Sequence, residues 1–345
     1  MHPRRNRWLD GVVLVSSLFA GSISAQDATE SPAKNRWVNI SDPVIDKIKK
    51  QELKFGYPGL TGGIAVDEHD GAVYIVACGQ GLWKSTNHGD TFARCDGDAI
   101  GGRCETGYSL NLDPAGKRLA CFMLDGTGAM SLDSGATWQK FTSVGRNWDY
   151  AAVGWEQEQP RQVIAAKHES GGEFFISRDA GQNWKLIFHN SQMQSIGIFD
   201  DNIMVTNDPQ GLIRSQDKGK TWIRAATFKP ISRVMRVYQG NGWWISENGL
   251  VTSKDKGLTW NKVGSAVIGS LGPYFDPADA KHVLVGGSKG FFETTDGAMT
   301  WNHIADLPEG FDVPRPGWFT NIGWDPKAKI LYASRMGKPA FKLQR

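Results

Sequence analysis

The stretch Ser131–Trp138, SLDSGATW, decides the fold because it returns down the chain. It comes back as SRDAGQNW (Ser177–Trp184), SQDKGKTW (Ser215–Trp222) and SKDKGLTW (Ser253–Trp260). Two looser copies flank these, STNHGDTF at Ser85–Phe92 and TTDGAMTW at Thr294–Trp301. The phrase reads as a tight turn between two strands. Short Ser and Asp side chains bond to turn backbone, Gly supplies a positive φ, and the closing aromatic opens the next strand. Asp133, Asp179, Asp217, Asp255 and Asp296 are therefore expected to be structural. The closing aromatics recur at intervals of roughly 40 residues, the period of a propeller blade.

The pattern S-x-D-x-G-x-T-W resembles the Asp-box, or bacterial neuraminidase repeat, of the sialidase-like propeller superfamily. That superfamily also holds sortilin-type receptors, xyloglucan-cleaving hydrolases and photosystem assembly factors. The resemblance implies the fold and not the activity, since in these families the box lies on the rim. The chain departs from sialidases themselves. Their Arg-Ile-Pro signature in the first blade has as its nearest counterpart VPRPG around Arg315, in the last blade and without the Ile.

Six complete four-strand phrases follow one another from Gly63 to Ile304. The tail adds three strands, WFTNIGWDP, KILYASRMG and PAFKLQ, and lacks a fourth. The orphan strand RWVNIS (Arg36–Ser41) is the missing piece, and pairing it there removes the exposed edges of an open ring. The expectation is an all-β, seven-bladed propeller over residues 36–345; a six-bladed ring with an extra hairpin is the alternative.

Ahead of it, three arginines (Arg4, Arg5 and Arg7), an apolar run from Gly11 to Gly21 and a small residue at Ala25 form a secretory signal over residues 1–25. The apolar run is shorter than the roughly 20 residues of a spanning helix. Residues 26–35 are polar and read as disordered. The expectation is a secreted or periplasmic protein with no membrane span. A formal charge of +3 that includes the signal arginines gives no electrostatic reason to expect nucleic acid.

All four cysteines lie between residues 78 and 121, and an exported protein permits disulfides. The pairs read as Cys95–Cys104 and Cys78–Cys121. No CxxC pair or nearby His suggests a metal, and no cofactor is expected. A Ca²⁺ held by main-chain carbonyls in the channel would leave no trace in the sequence.

In a propeller, function collects on the loops that enter each innermost strand and those joining second to third strands. These loops carry Tyr57, Arg103, Glu105, Tyr108, Arg233, Trp318 and Arg335 among others. Two clusters belong to one blade, RNWDY (Arg146–Tyr150) and KHES (Lys167–Ser170), and antiparallel pairing brings them together. Asp149, His168 and Glu169 are the candidate catalytic groups, suited to glycoside hydrolysis or to proton abstraction from a uronic acid. Trp148 reads as a sugar-stacking platform. Arg146, Tyr150, Lys167, Arg233, Arg315, Trp318 and Arg335 are the candidate ligand-binding residues, with Arg146, Arg233 and Arg315 expected to converge on a carboxylate. The function expected is action on, or binding of, an acidic glycan by a hydrolase or lyase. The alternative is a non-catalytic module offering its loop face to a protein or glycan.

Overall fold

The computed structural model describes residues 36–345 except 143–146, 191–192, 268 and 313–316. The expected signal segment, residues 26–35, Arg146 and Arg315 lie outside the described residues. The described residues form seven four-stranded antiparallel sheets, each a blade. Blades 1 to 6 run in chain order over residues 61–94, 110–140, 148–189, 196–226, 236–262 and 271–305. Blade 7 joins Thr320–Asp325, Ile330–Arg335 and Ala340–Gln344 to the short strand Val38–Asn39. Val38 pairs with Lys342 and Asn39 with Phe341, so both ends of the described chain meet in one sheet and the ring closes as expected.

The repeated turn explains its own sequence. In SRDAGQNW the Ser177 hydroxyl donates to Asp179 Oδ1 at 2.9 Å and accepts from the Gly181 amide at 2.8 Å. Asp179 also accepts from the Asn183 amide at 2.8 Å. Two successive residues take positive φ, Ala180 at 56° and Gly181 at 85°. In the Thr294–Trp301 copy the same two places are filled by Gly297 at 73° and Ala298 at 71°. Because both places need that conformation, a glycine serves at either, and its early arrival there leaves the turn intact.

Trp138, Trp184, Trp222 and Trp260 donate back to the turn, as Trp184 Nε1 does to the Gly181 carbonyl at 3.0 Å. They also pack between blades: Trp184 lies edge-on to Phe141 of blade 2 and beside Trp148 of its own blade. The repeat thus ties each turn to an interblade seam.

The strand-by-strand reading does not anticipate the helix Asp42–Lys50. Pro43 in its first turn has no amide to lose there, and Val44, Ile45 and Ile48 are buried. Its face covers blades 7 and 1 near Trp83 and Tyr332.

The four cysteines are free thiols, so neither expected bridge is formed. Cys95 leaves the outermost strand of blade 1, where its amide pairs with Leu82 of the third strand. Cys104 packs instead against Gly63 on the innermost strand. About three strand spacings, some 14 Å, separate those positions, while bridged Cα atoms sit within about 7 Å. Cys78 follows the second strand of blade 1 and Cys121 ends that of blade 2, and each is buried.

The central channel is lined by aliphatic side chains, Ile64, Leu110, Ile198, Val234 and Ile322 among them. The Tyr108 hydroxyl crosses it to donate to the Ser270 carbonyl at 2.5 Å. Arg236 Nη2 donates to both oxygens of Glu68 at 3.0 and 3.1 Å. A cavity of about 70 Å³ remains within these walls.

Candidate functional site

The chain enters each innermost strand on the face opposite the repeated turns, and there blade 3 departs from regular pairing. Trp148 pairs with Lys167 and Tyr150 with Ala166, which leaves Asp149 as an extra residue in a bulge. A bulge re-aims the side chain it carries. It brings Asp149 Oδ1 to 2.6 Å from His168 Nδ1.

Asp149 is 7 % exposed. Burial pushes its carboxyl above the ordinary carboxylate range, against the hydrogen bond from His168 and the charges of His168 and Arg233, which pull it down. Its main-chain carbonyl accepts from Thr106 Oγ1 at 2.9 Å and Ser109 Oγ at 2.7 Å. The loop entering blade 2 therefore fixes the bulge in blade 3. His168 Nε2 stands 3.7 Å from Glu169 Oε1, and the Glu169 side chain is 85 % exposed.

Next to this pair lies a cleft of about 440 Å³ lined by Asp149, Tyr150, Lys167, Glu169, Arg233 and Trp318, together with Gln194 and the glycines Gly171 and Gly172. Its volume is that of a small-ligand site, and its walls are largely polar. Arg233 donates to the Gln194 side chain at 2.7 Å and lies over the Tyr150 ring at 5.8 Å. The Tyr150 hydroxyl donates to the Gln194 carbonyl at 2.7 Å. The indole N–H of Trp318 is buried and has no protein acceptor among the described residues.

Six of the sequence candidates thus line one cleft, with His168 bonded to its wall. Two others behave differently. Trp148 is fully buried, with Phe175 and Trp184 against its ring and the Lys167 ammonium 5.2 Å from its centre. A ring enclosed on these sides offers no stacking surface, so it is a core residue. Arg335 is bound by Asp312, as an ion pair to its carboxylate and by donation to its carbonyl at 2.7 Å.

Within electrostatic reach of Asp149, His168 and Glu169 stands Glu105, which sequence position places on the entry loops without distinguishing it from a dozen neighbours. Its carboxylate is 5 % exposed and Oε2 has no hydrogen-bond partner among the described residues. Only burial separates it from those neighbours, and burial is a tertiary property.

No family model matches the chain, and no curated protein matches it. Solved structures with a similar course of the backbone include YCF48 bound to D1 peptide, 13 % identical with a TM-score of 0.49 over 85 % of this chain and 94 % of that one. YCF48 from Cyanidioschyzon merolae is 11 % identical with a TM-score of 0.43, over 89 % and 98 % of the two chains. The GH74 enzyme of Niastella koreensis is 12 % identical with a TM-score of 0.31, over 82 % and 65 %. Likenesses this distant say nothing about what the present chain binds, and its propeller fold rests on its own seven sheets.

Proposed function

We propose that this propeller is an exported glycan-active protein whose entry face takes an acidic sugar beside the Asp149–His168 pair. One observation carries the reading: a buried carboxylate, displaced from its strand by a bulge, holds an imidazole at 2.6 Å on the wall of a polar cleft. A carboxylate on one ring nitrogen fixes the tautomer and the orientation of the ring. His168 Nε2 is then the proton acceptor. Arg233 and Lys167 supply positive charge for a sugar carboxylate, and Trp318 offers an aromatic face.

The chemistry open to such a site is hydrolysis, with His168 activating water, or elimination, with His168 taking the proton beside a uronate carboxylate. The test is a panel of neutral, sialylated, uronic-acid and sulfated glycans read for reducing ends, absorbance near 235 nm and thermal shift. Reducing ends alone mean hydrolysis, and reducing ends with new absorbance mean elimination. Silence in every readout would refute the carbohydrate reading.

A second reading has its own support. Tyr57, from the loop entering blade 1, is 75 % exposed and has the Arg103 guanidinium 5.0 Å from its ring centre. Arg103 itself is buried, so it backs the ring from below, and a protruding Tyr is a common anchor of protein interfaces. A thermal shift without cleavage, lost in Tyr57→Ala and kept in His168→Ala, would favour a binding module.

A further inference from the structure

We infer that Glu105 is the proton donor of this site, giving its proton to the oxygen that leaves the sugar; the inference rests on the glycan-active reading above. Glu105 belongs to the loop entering blade 2, and its neighbours Thr106 and Ser109 hold the Asp149 carbonyl. The loop that carries the acid therefore also positions the base, which links Glu105 to the bulge of blade 3.

Among the described residues the charged groups around Glu105 are Arg103, His168, Asp149 and Glu169. Arg103 is paired with it at 3.7 Å, but the hydrogen bonds of that guanidinium go elsewhere. Nη1 pairs with Asp125, Nε faces the Met336 sulfur at 3.1 Å, and Nη2 stays 3.7 Å from Glu105 Oε2, beyond hydrogen-bond reach. A buried carboxylate without a hydrogen-bond donor is disfavoured in its charged form. Consistent with this, burial raises the Glu105 carboxyl above its ordinary range, despite the lowering charges of Arg103 and His168. Two carboxyl groups thus stand near one imidazole in different surroundings. Burial raises both, but Asp149 is bonded to His168 and so serves the base, while Glu105 has an oxygen with no hydrogen-bond partner among the described residues and is left to serve as the acid.

The steps balance in both chemistries. In hydrolysis the glycosidic C1–O bond breaks with its electron pair on the departing oxygen, which takes the Glu105 proton. Water oxygen bonds to C1 and its proton goes to His168 Nε2. In elimination the C5–H pair forms the new double bond as the C4–O bond breaks, His168 takes the C5 proton, and Glu105 again protonates the oxygen that leaves. The acid role is the same in each, so it does not depend on choosing between them.

The test compares Glu105→Gln with the full-length wild type on two substrates that differ in the group that leaves: a natural glycan, and a derivative of the same sugar that carries 4-nitrophenolate as the leaving group, on C1 where the wild type hydrolyses and on C4 where it eliminates. Nitrophenolate departs without protonation. The expected result is a loss of about 10²–10⁴-fold on the glycan and less than tenfold on the nitrophenyl derivative, with the alkaline limb of the wild-type pH profile abolished. Formate should restore glycan cleavage to Glu105→Ala, which guards against a folding defect in either variant. Equal losses on both substrates, or no loss, would overturn the assignment while leaving a glycan-active wild type intact. A wild type that cleaves nothing would sink the assignment together with the reading beneath it.

Discussion

Asp149 Oδ1 and His168 Nδ1 lie 2.6 Å apart across a bulge between neighbouring strands of blade 3. Asp149→Asn would keep the shape and lose the charge that holds the imidazole tautomer. The expected outcome is a fall in turnover of about 10²–10⁴-fold on whichever glycan the wild type cleaves, with the melting temperature little changed. A melting temperature that collapses in both Asp149→Asn and His168→Ala would make the pair structural.

Trp148 should behave in the opposite way. It is fully buried between blades, so Trp148→Ala is expected to cost about 3–5 kcal/mol in chemical unfolding. Trp222 closes another turn and is only half-buried, so Trp222→Ala should cost less. Equal costs would mean that the repeated aromatic, and not its burial, sets the energy.

Ser177→Ala removes the acceptor of the buried Gly181 amide in the repeated turn. Leaving a buried donor unpaired costs about 1–3 kcal/mol. Activity in the surviving folded protein should be unaffected, because the turn lies on the face opposite the cleft. Loss of activity without loss of stability would contradict that separation.

The carboxylate of Glu293 ties His282 to the chain-terminal Arg345. His282 Nε2 is 2.8 Å from Glu293 Oε1, and Arg345 donates to both oxygens at 2.8 and 2.9 Å. Burial pushes Glu293 up, yet the hydrogen bonds from His282 and Arg345 outweigh it and hold the carboxyl down at about 2, against 4.5 ordinarily. His282 is raised above 6.5, chiefly by its bond to Glu293 and also by that to Asp276, against burial. A lowered acid stabilises the fold above 4.5 and loses that contribution as pH falls toward 2. A raised imidazole stabilises below 6.5 and loses its contribution as pH rises through its folded value. The difference in melting temperature between wild type and Glu293→Gln should therefore be largest between pH 4.5 and 6.5. A difference independent of pH would remove the latch.

The thiols give a chemical check on the missing bridges. Burial pushes Cys78 up to about 11 and Cys95 up to about 12, and a thiol kept protonated is a poor nucleophile. Protein purified without reductant should show four reactive thiols in denaturant and very slow reaction when native. Two or no thiols in denaturant would mean that bridges form after all.

Much of the architecture could be read before any coordinates, because a repeated turn is a local object. Ser177, Asp179 and Gly181 satisfy one another within five residues, and the spacing of such units sets the number of blades. The closing strand was legible as well, since three strands at one end and one at the other leave a single pairing that removes both edges. The helix Asp42–Lys50 was harder to see, because its buried residues Val44, Ile45 and Ile48 fall within barely two turns.

The site was legible only as a neighbourhood. Sequence position put Asp149 and His168 at adjacent strand ends on the entry face, but a bulge brings their atoms into contact, and the loop of another blade holds that bulge in place. Trp148 and Glu105 mark the limit. One aromatic next to the candidates is sealed in the core, and one acid among many loop acids has an oxygen stripped of water and, among the described residues, of a hydrogen-bond donor. By itself the sequence determined what local hydrogen bonding and hydrophobic period can specify, the turn, the blade and their number. Only the tertiary structure decided which side chains are buried and which oxygen lacks a partner, because desolvation depends on residues that are distant in the chain and adjacent in the ring.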